Sequence, residues 1–218
     1  MIAKYRTIYQ GGEAELLEKK SRFIGIVHPI ETEEDALHVI ERIKHTHGNA
    51  THHCYAYVLG EQMELQRCSD DGEPSKTAGK PILDVLLGED IHNTIIVVVR
   101  YFGGTLLGTG GLVRAYTGAA KAGLEVSQII TKHQGTQVTL RVDYTELGKV
   151  QYLLGQRGIQ ILESTYTDSV VISVIILAEE AACVCNEIME GTNGKAEITK
   201  GKTCYFTELQ GKIQIFTS

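Results

Sequence analysis

The chain has 218 residues, enough for one large domain or two ordinary ones, and its 43% hydrophobic and 22% charged residues exclude a disordered chain. No apolar run approaches the ~18 residues of a membrane span, and no apolar segment follows a basic one at the start, so we expect a cytoplasmic globular protein. Residues 1–132 carry 14 Lys+Arg against 17 Asp+Glu and the remainder 7 against 10, a net of −3 in each, which argues against broad attraction to nucleic acid.

The first half of the chain predicts an α+β domain of short strands and helices. Thr32 and Asp35 are spaced close to a capping box, and apolar residues recur behind them at helical spacing. The run TIIVVV near residue 95 is β-branched and long enough for a central, fully buried strand. The predicted elements are strands at 5–9, 13–19 and 23–29, a helix at 32–47, strands at 53–59 and 64–68, a short helix from Pro81, a strand at 93–100 and a helix at 111–126.

The second half predicts the order β-α-β-β-α-β. Val138, Leu140 and Val142 alternate with polar residues, and Gly158 is placed to end the helix that follows. This order is the split βαβ, ferredoxin-like arrangement. The polar stretch 131–136 is the expected boundary between a domain at 1–132 and a domain at 136–218. The remaining predicted elements are strands at 159–166 and 169–177, a helix at 179–190 with Glu179 and Glu180 in its first turn, and strands at 195–200 and 203–208.

Residues 70–79 (DDGEPSKTAG), called the acidic turn below, concentrate charge among turn-forming residues. Asp70, Asp71 and Glu73 place three carboxylates within four residues. Because adjacent like charges repel, a cation, an arginine or helix-terminal N–H groups must offset them. An oxygen-rich loop suits Mg²⁺ or Ca²⁺, so a divalent cation is one interpretation. The alternative is a structured surface turn whose acidic side chains cap its own backbone.

Residues 103–111 (GGTLLGTGG), called the glycine loop, contain five glycines between a predicted strand and a predicted helix. The conformational freedom of glycine is costly in backbone entropy on folding, so a structural or functional requirement must explain these five glycines. One interpretation is a backbone lying close to a ligand, with N–H groups facing an anion, Arg100 and Arg114 supplying charge, and Tyr101 or Phe102 a stacking face. The other is tight turns that let helix and strand pack closely. The spacing matches neither the Walker nor the Rossmann pattern.

Two histidines and a cysteine adjoin one another at His52, His53 and Cys54. On a strand only His52 and Cys54 share a face, so three ligands do not converge on a metal. Cys54 or Cys68 paired with a histidine could act as a nucleophile, although a buried free cysteine is the commoner case. The five cysteines are an odd number without a CxxC pair, which argues against a disulfide framework and a zinc ribbon.

The sequence resembles the YigZ/IMPACT family in KKSRFIG (19–25), THHCYAYVLG (51–60), CSDDGEPSKTAGKPIL (68–83) and VVVRYFGGTLLGTGGLVRAY (97–116). The resemblance covers about residues 1–130, and the second half is similar to the smaller domain of bacterial, YigZ-like members. It implies an N-terminal domain similar to ribosomal protein S5 domain 2 and a C-terminal domain similar to the ferredoxin-like domains of elongation factor G. Eukaryotic relatives resemble translation regulators that bind the activator of the amino-acid-starvation kinase through protein contacts.

Two positions depart from the family motif. Lys76 stands where a small residue, often glycine, is usual, and it adds a positive charge to the acidic turn. Leu107 stands where many eukaryotic members have lysine, and this removes a positive charge from the glycine loop. The motif falls on Asp71, Gly72, Glu73, Pro74, Thr77, Ala78, Gly79, Arg100, Tyr101, Phe102, Gly103, Gly104, Gly108, Gly111, Arg114 and Tyr116.

The leading hypothesis is a translation-associated binding protein that contacts RNA, the ribosome or a ribosome-associated protein. It requires the acidic turn and the glycine loop to form one pocket. The alternative is an enzyme acting on a phosphorylated or peptide-like small molecule, with a divalent ion at Asp70, Asp71 and Glu73 and with His52 or His53 moving protons. The third hypothesis is a protein–protein adaptor, in which the motif only specifies the fold. We expect no other cofactor and no membrane partner. The expected ligand-binding residues are Asp71, Glu73, Lys76, Thr77, Arg100, Tyr101, Gly103, Gly104, Gly108, Gly110, Gly111 and Arg114.

Overall fold

The computed structural model describes residues 1–216 and has the α+β fold class that the sequence predicts. Within those residues, none of the helices is both long enough and apolar enough to cross a bilayer. The elements in chain order are β1 (Lys4–Gln10), β2 (Glu13–Glu18), β3 (Ser21–Pro29), α1 (Glu33–Thr46), β4 (His52–Leu59), β5 (Leu65–Ser69), α2 (Gly79–Gly88), β6 (Ile91–His92), β7 (Thr94–Tyr101), α3 (Thr109–Glu125), β8 (Gln128–Val142), α4 (Tyr144–Gln156), β9 (Ile161–Tyr166), β10 (Val170–Leu177), α5 (Ala181–Gly191), β11 (Glu197–Leu209) and β12 (Lys212–Phe216).

The chain divides into two compact units, one formed by Tyr5–Thr131 and the other by Met1–Lys4 together with the residues from Lys132 onward. The first unit is built on an antiparallel sheet of order β2-β3-β7-β4-β5. Its central strand is β7, which the β-branched run predicted to be central and buried. This fold fits the S5-like arrangement expected for the N-terminal domain.

The two faces of this sheet carry different helices because side chains alternate along each strand. Ile95, Val97 and Val99 of β7 pack toward α1, whereas Ile96 and Val98 pack toward α2 and α3. The predicted capping box starts α1: the Thr32 hydroxyl accepts from the Asp35 N–H, and the Asp35 carboxylate accepts from the Thr32 N–H. Arg100 follows Val98 on the α2 and α3 face, and this alternation positions it for the site described below.

The second unit has the predicted βαββαβ order and ferredoxin-like topology. Its antiparallel strands run β9-β10-β8-β11-β12, and α4 and α5 pack on one face through a shared apolar core. Gly158 adopts φ 65° directly after the C-cap of α4, which confirms its role as the helix stop.

Several predicted boundaries differ from the structure. The polar stretch 131–136, expected to precede the first strand of the second domain, is itself part of β8, since residues 133–136 pair with β11 and residues 135–136 also pair with β10. The predicted strands at 195–200 and 203–208 are one strand, β11, with an irregularity after Lys200, and β12 was not predicted. Glu180 is the N-cap of α5, so Glu179 and Glu180 precede its first turn. The helices α2 and α3 each begin two residues before their predicted starts.

Candidate functional site

The acidic turn is organised by its first carboxylate. Oδ1 of Asp70 accepts hydrogen bonds from the backbone N–H of Ala78 at 3.0 Å and of Gly79 at 2.8 Å, and Oδ2 accepts one from the N–H of Lys76 at 2.8 Å. Two of these amides lie at the start of α2, where unpaired N–H groups favour a carboxylate. The Asp70 carboxylate therefore stabilises the conformation of the acidic turn and links the turn to the start of α2.

Glu73 is buried and connects the acidic turn with β7 and α3. Its Oε1 accepts hydrogen bonds from Nη1 of Arg100 at 2.6 Å and from the hydroxyl of Tyr116 at 2.7 Å. The Glu73 and Arg100 side chains are 4% and 6% exposed, which makes this a buried ion pair. Burial raises the pKa of Tyr116, so its hydroxyl remains protonated and donates to Glu73. Glu73 and Arg100, which the sequence predicts to bind a ligand, are thus paired with each other within the protein.

His52, on β4, is held against the acidic turn. Its Nδ1 lies 2.8 Å from the backbone oxygen of Asp71, and the Asp71 carboxylate accepts from the N–H of His53 at 2.6 Å. Because a carbonyl oxygen only accepts hydrogen bonds, this contact assigns the neutral-ring proton of His52 to Nδ1. Nε2 then remains on the opposite side of the ring, 3.9 Å from Oε1 of Glu73.

The acidic turn and the glycine loop meet at one cleft of about 440 Å³. Its charged and titratable lining is Glu73, Arg100 and His52, and Thr51 and Thr109 add polar groups. The rest is mainly apolar and comes from Pro74, Phe102, Leu106, Leu107 and Leu112, with Gly108 at the start of α3. The spatial requirement of the leading hypothesis is met for Glu73, Arg100 and Gly108, while a binding role for these residues remains a prediction.

Two glycines of the loop occupy positions that disfavour a side chain, one because of a close contact and one because of its backbone conformation. A Cβ on Gly103 would lie 2.0 Å from the backbone carbonyl of Lys20, so the loop approaches the start of β3 closely. Gly108 has φ 73° and directly precedes α3, a conformation that favours glycine. The loop is also held by two hydroxyls: Ser21 accepts from the N–H of Gly103, and Thr51 accepts from the N–H of Phe102, both at 3.2 Å.

Several predicted site residues do not line this cleft. Tyr101 lies on the α1 face of β7, with its hydroxyl 2.9 Å from Nδ1 of His47. Thr77 is buried and donates its hydroxyl proton to the Pro74 carbonyl at 2.6 Å. Lys76 lines a separate cleft between α2 and α3, and its φ of 63° lies in the left-handed region that favours glycine.

The remaining predicted residues have varied positions. Asp71 is half-buried, and its carboxylate is engaged by His53. Gly104 is exposed, with φ 81°. Gly110 and Gly111 lie in the first turn of α3, directly after the lining residue Thr109, and Arg114 follows on the exposed surface of that helix.

The three carboxylates of the acidic turn do not converge. Asp70 binds backbone amides, Asp71 binds the N–H of His53, and Glu73 binds Arg100 and Tyr116. Within residues 1–216, no group of three or more His, Cys, Asp or Glu side chains has an arrangement that could hold a metal ion. The geometry therefore gives no support to a divalent cation at Asp70, Asp71 and Glu73.

Cys54 is placed as a structural residue rather than as a nucleophile. Its side chain is buried, with Sγ 3.0 Å from the backbone oxygen of Asp70 and 3.4 Å from the hydroxyl of Tyr116. Burial, with smaller contributions from the nearby carboxylates of Glu73, Asp71 and Asp70, raises the pKa of the Cys54 thiol to about 12. The thiolate required for nucleophilic attack is therefore scarce at neutral pH.

Alkylation with iodoacetamide at pH 8, followed by peptide mass spectrometry, is expected to separate the cysteines by environment. Cys183 is exposed and should react first, whereas Cys54 should react more than about a hundredfold more slowly because it is buried and protonated. Unfolding in urea should equalise the two rates and serves as the control. Labelling of folded Cys54 as fast as Cys183 would contradict this assignment and restore the nucleophile hypothesis.

The expected ligand-binding residues omit three side chains at the cleft. Leu106 is 82% exposed, Leu112 lines the cleft from α3, and Tyr116, which the family motif includes, donates its hydroxyl proton to Glu73. In the sequence, the apolar surface of the cleft is indicated only by the pair Leu106-Leu107, which lies in a loop otherwise made of glycine and threonine. Apolar side chains in such a loop indicate either packing or a contact surface.

Comparison with known proteins gives matches over both units. Residues 19–124 match the Impact N-terminal domain, and residues 140–195 match a domain of unknown function, DUF1949. The IMPACT family member YvyE of Bacillus subtilis is 37% identical over 214 residues, 98% of this chain and 99% of that protein. YigZ of Escherichia coli is 38% identical over 182 residues, 83% and 89% of the two chains. A crystal structure described as that of a hypothetical protein is 33% identical with a TM-score of 0.60, and the match covers 93% of this chain and 99% of the other.

Proposed function

This chain belongs to the IMPACT family, and we propose that it is a translation-associated binding protein whose cleft takes an apolar segment of a ribosome-associated protein. The observation that carries the proposal is the exposure of large apolar side chains at the cleft. Leu106 is 82% exposed and Phe102 is 46% exposed, and both line the cleft formed by the acidic turn and the glycine loop. A few side chains that become buried at the centre of an interface provide most of its binding free energy.

The charges of the cleft favour a protein partner over RNA. RNA affinity comes largely from cationic side chains that neutralise phosphates. Here Arg100 is paired with Glu73, Leu107 replaces the lysine of many eukaryotic members, and the whole chain has a net charge of −6. An apolar peptide segment requires no such excess of positive charge. The resemblance to eukaryotic translation regulators that act through protein contacts supports the same choice.

Co-sedimentation with ribosomes prepared from the source organism tests this proposal. Leu106→Ser removes the most exposed apolar side chain of the cleft with little expected effect on folding, and it should weaken retention at least about tenfold. The matched control is Leu17→Ser: Leu17 is 68% exposed on β2, outside the cleft, and its substitution should leave retention unchanged.

Two results would contradict the proposal. Retention that falls equally in both variants would indicate nonspecific apolar adhesion. Retention that ignores Leu106→Ser but decreases steeply between 50 and 200 mM salt, roughly the range in which phosphate contacts are screened, would indicate RNA as the partner instead.

A further inference from the structure

We infer that the cleft contains a carboxylate-binding subsite, formed by the free edge of the Arg100 guanidinium and the N-terminal amides of α3. The inference rests on the proposed function and specifies what the bound segment must carry: a carboxylate adjoining apolar side chains. Two independent features of the cleft lead to it, one on β7 and one at the start of α3.

Arg100 is buried but only partly satisfied. Its Nη1 donates to Glu73, whereas Nε is enclosed by protein and is the one buried side-chain nitrogen or oxygen among residues 1–216 without a hydrogen-bond partner. A buried donor left unpaired is unfavourable, so a ligand that accepts from it gains affinity. In a guanidinium, Nε and Nη2 form one edge, and that edge matches the two oxygens of a carboxylate.

The aromatic neighbours of Arg100 define the accessible side. The rings of Phe23 and Phe102 both lie 5.4 Å from its Cζ. Phe23 is fully buried, but Phe102 is 46% exposed and lines the cleft, so Phe102 is the cover on the solvent side. A bound segment would therefore have to displace the Phe102 ring to reach the guanidinium edge.

The start of α3 supplies the second donor group. Gly108 and Thr109 line the cleft, and the N-cap position is occupied by Gly108, which has no side chain to accept from the first-turn amides. The N–H groups of Thr109, Gly110 and Gly111 precede the first helical hydrogen bond, which the N–H of Leu112 makes to the Gly108 carbonyl. In a 17-residue helix such a start favours an anion.

The neighbouring charge selects a carboxylate over a phosphate. Glu73 shares Arg100 with the subsite, so the pair contributes almost no net positive charge. A phosphate of about −2 charge would meet roughly twice the repulsion from Glu73 that a carboxylate of −1 meets. The leucines of the cleft also require that the anion adjoin apolar groups, as in a peptide that ends in an apolar residue.

The inference is tested by titrating the ¹⁵N-labelled full chain with small probes and following the amide signals of Gly110 and Gly111 by NMR. The probes are N-acetyl-Leu-Leu as the free acid, its C-terminal amide, N-acetyl-Leu-Asp-Leu amide, and inorganic phosphate. We expect the free acid to shift both signals and to bind at least tenfold more tightly than its amide and than phosphate. The peptide with an internal aspartate distinguishes the source: equal affinity indicates any carboxylate, and weaker binding indicates a chain terminus.

Two variants remove one donor group each. Arg100→Lys keeps a positive charge beside Glu73 but removes the guanidinium edge, and Thr109→Pro removes one amide at a helix position that tolerates proline. Each should weaken binding of the free acid at least tenfold. Lys76→Gly is the control, because it removes a charge from the separate α2–α3 cleft at a residue whose φ suits glycine.

The possible outcomes separate the subsite from the proposed function. Equal binding of the free acid and the amide would overturn the subsite while leaving the cleft as an apolar peptide site. Tighter binding of phosphate than of the free acid would overturn the choice of carboxylate. If no peptide shifts either signal, both the subsite and the proposed occupant of the cleft are contradicted. Because Thr109→Pro acts through the backbone, a folding defect in Arg100→Lys would not remove the test.

Discussion

Replacing Glu73 by alanine is expected to lower the free energy of unfolding of the N-terminal unit by about 3–5 kcal/mol. The substitution leaves the Arg100 guanidinium buried without its anion and removes the acceptor of the Tyr116 hydroxyl. An uncompensated buried charge costs far more than the loss of an exposed ion pair, which is worth about 0–1 kcal/mol. Hydrogen exchange of the Val97, Val98 and Val99 amides in central strand β7 measures this unit specifically.

The double variant Glu73→Leu with Arg100→Met is the control for this interpretation. Removing both charges leaves no unpaired ion, so most of the lost stability should return even though the native pair is absent. Glu15, which is exposed and paired with Arg22 at 2.6 Å, provides a second reference: Glu15→Ala should cost less than about 1 kcal/mol. A Glu73→Ala variant as stable as Glu15→Ala would refute a structural role for the buried pair.

The fold could be predicted from local patterns because those patterns report burial directly. The β-branched run in β7 indicated a strand buried on both faces, and the Thr32 and Asp35 spacing indicated the start of α1. Boundaries were less predictable where hydrogen-bond pairing overrides composition. The polar stretch 131–136 has few apolar residues, yet its backbone pairs with two neighbouring strands and it remains in β8.

The candidate site could be predicted only in part, because pairing between distant side chains leaves no local pattern. The sequence identified Glu73 and Arg100 as candidates but could not indicate that they neutralise each other across 27 positions of the chain. Strand alternation would have placed Tyr101 opposite Arg100, so its assignment to the same site was avoidable. Leu106 was less predictable, because the five glycines around it predict backbone freedom rather than an apolar contact surface.

Gly25→Ala is expected to lower the free energy of unfolding of the N-terminal unit by about 3 kcal/mol, the upper end of the usual cost of overpacking. A Cβ on Gly25 would lie 2.0 Å from the backbone oxygen and 2.7 Å from the carbonyl carbon of Ala119, so β3 and α3 touch backbone to backbone. Gly123 makes the reciprocal approach, since its Cβ would lie 2.8 Å from the oxygen of Gly25. Neither contact can be relieved by rotating a side chain, so α3 itself must move.

The matched control for this substitution is Gly148→Ala in α4, where no atom lies within 4 Å of the added Cβ. That variant should gain about 0.5–1 kcal/mol from helix propensity, so the two substitutions are expected to have opposite signs. Urea denaturation and hydrogen exchange measure both. Because α3 carries Gly108 and Thr109 into the cleft, Gly25→Ala should also shift the Gly110 and Gly111 amide signals before any ligand is added. A stable Gly25→Ala protein with unchanged signals would mean that the position of α3 does not depend on this close approach.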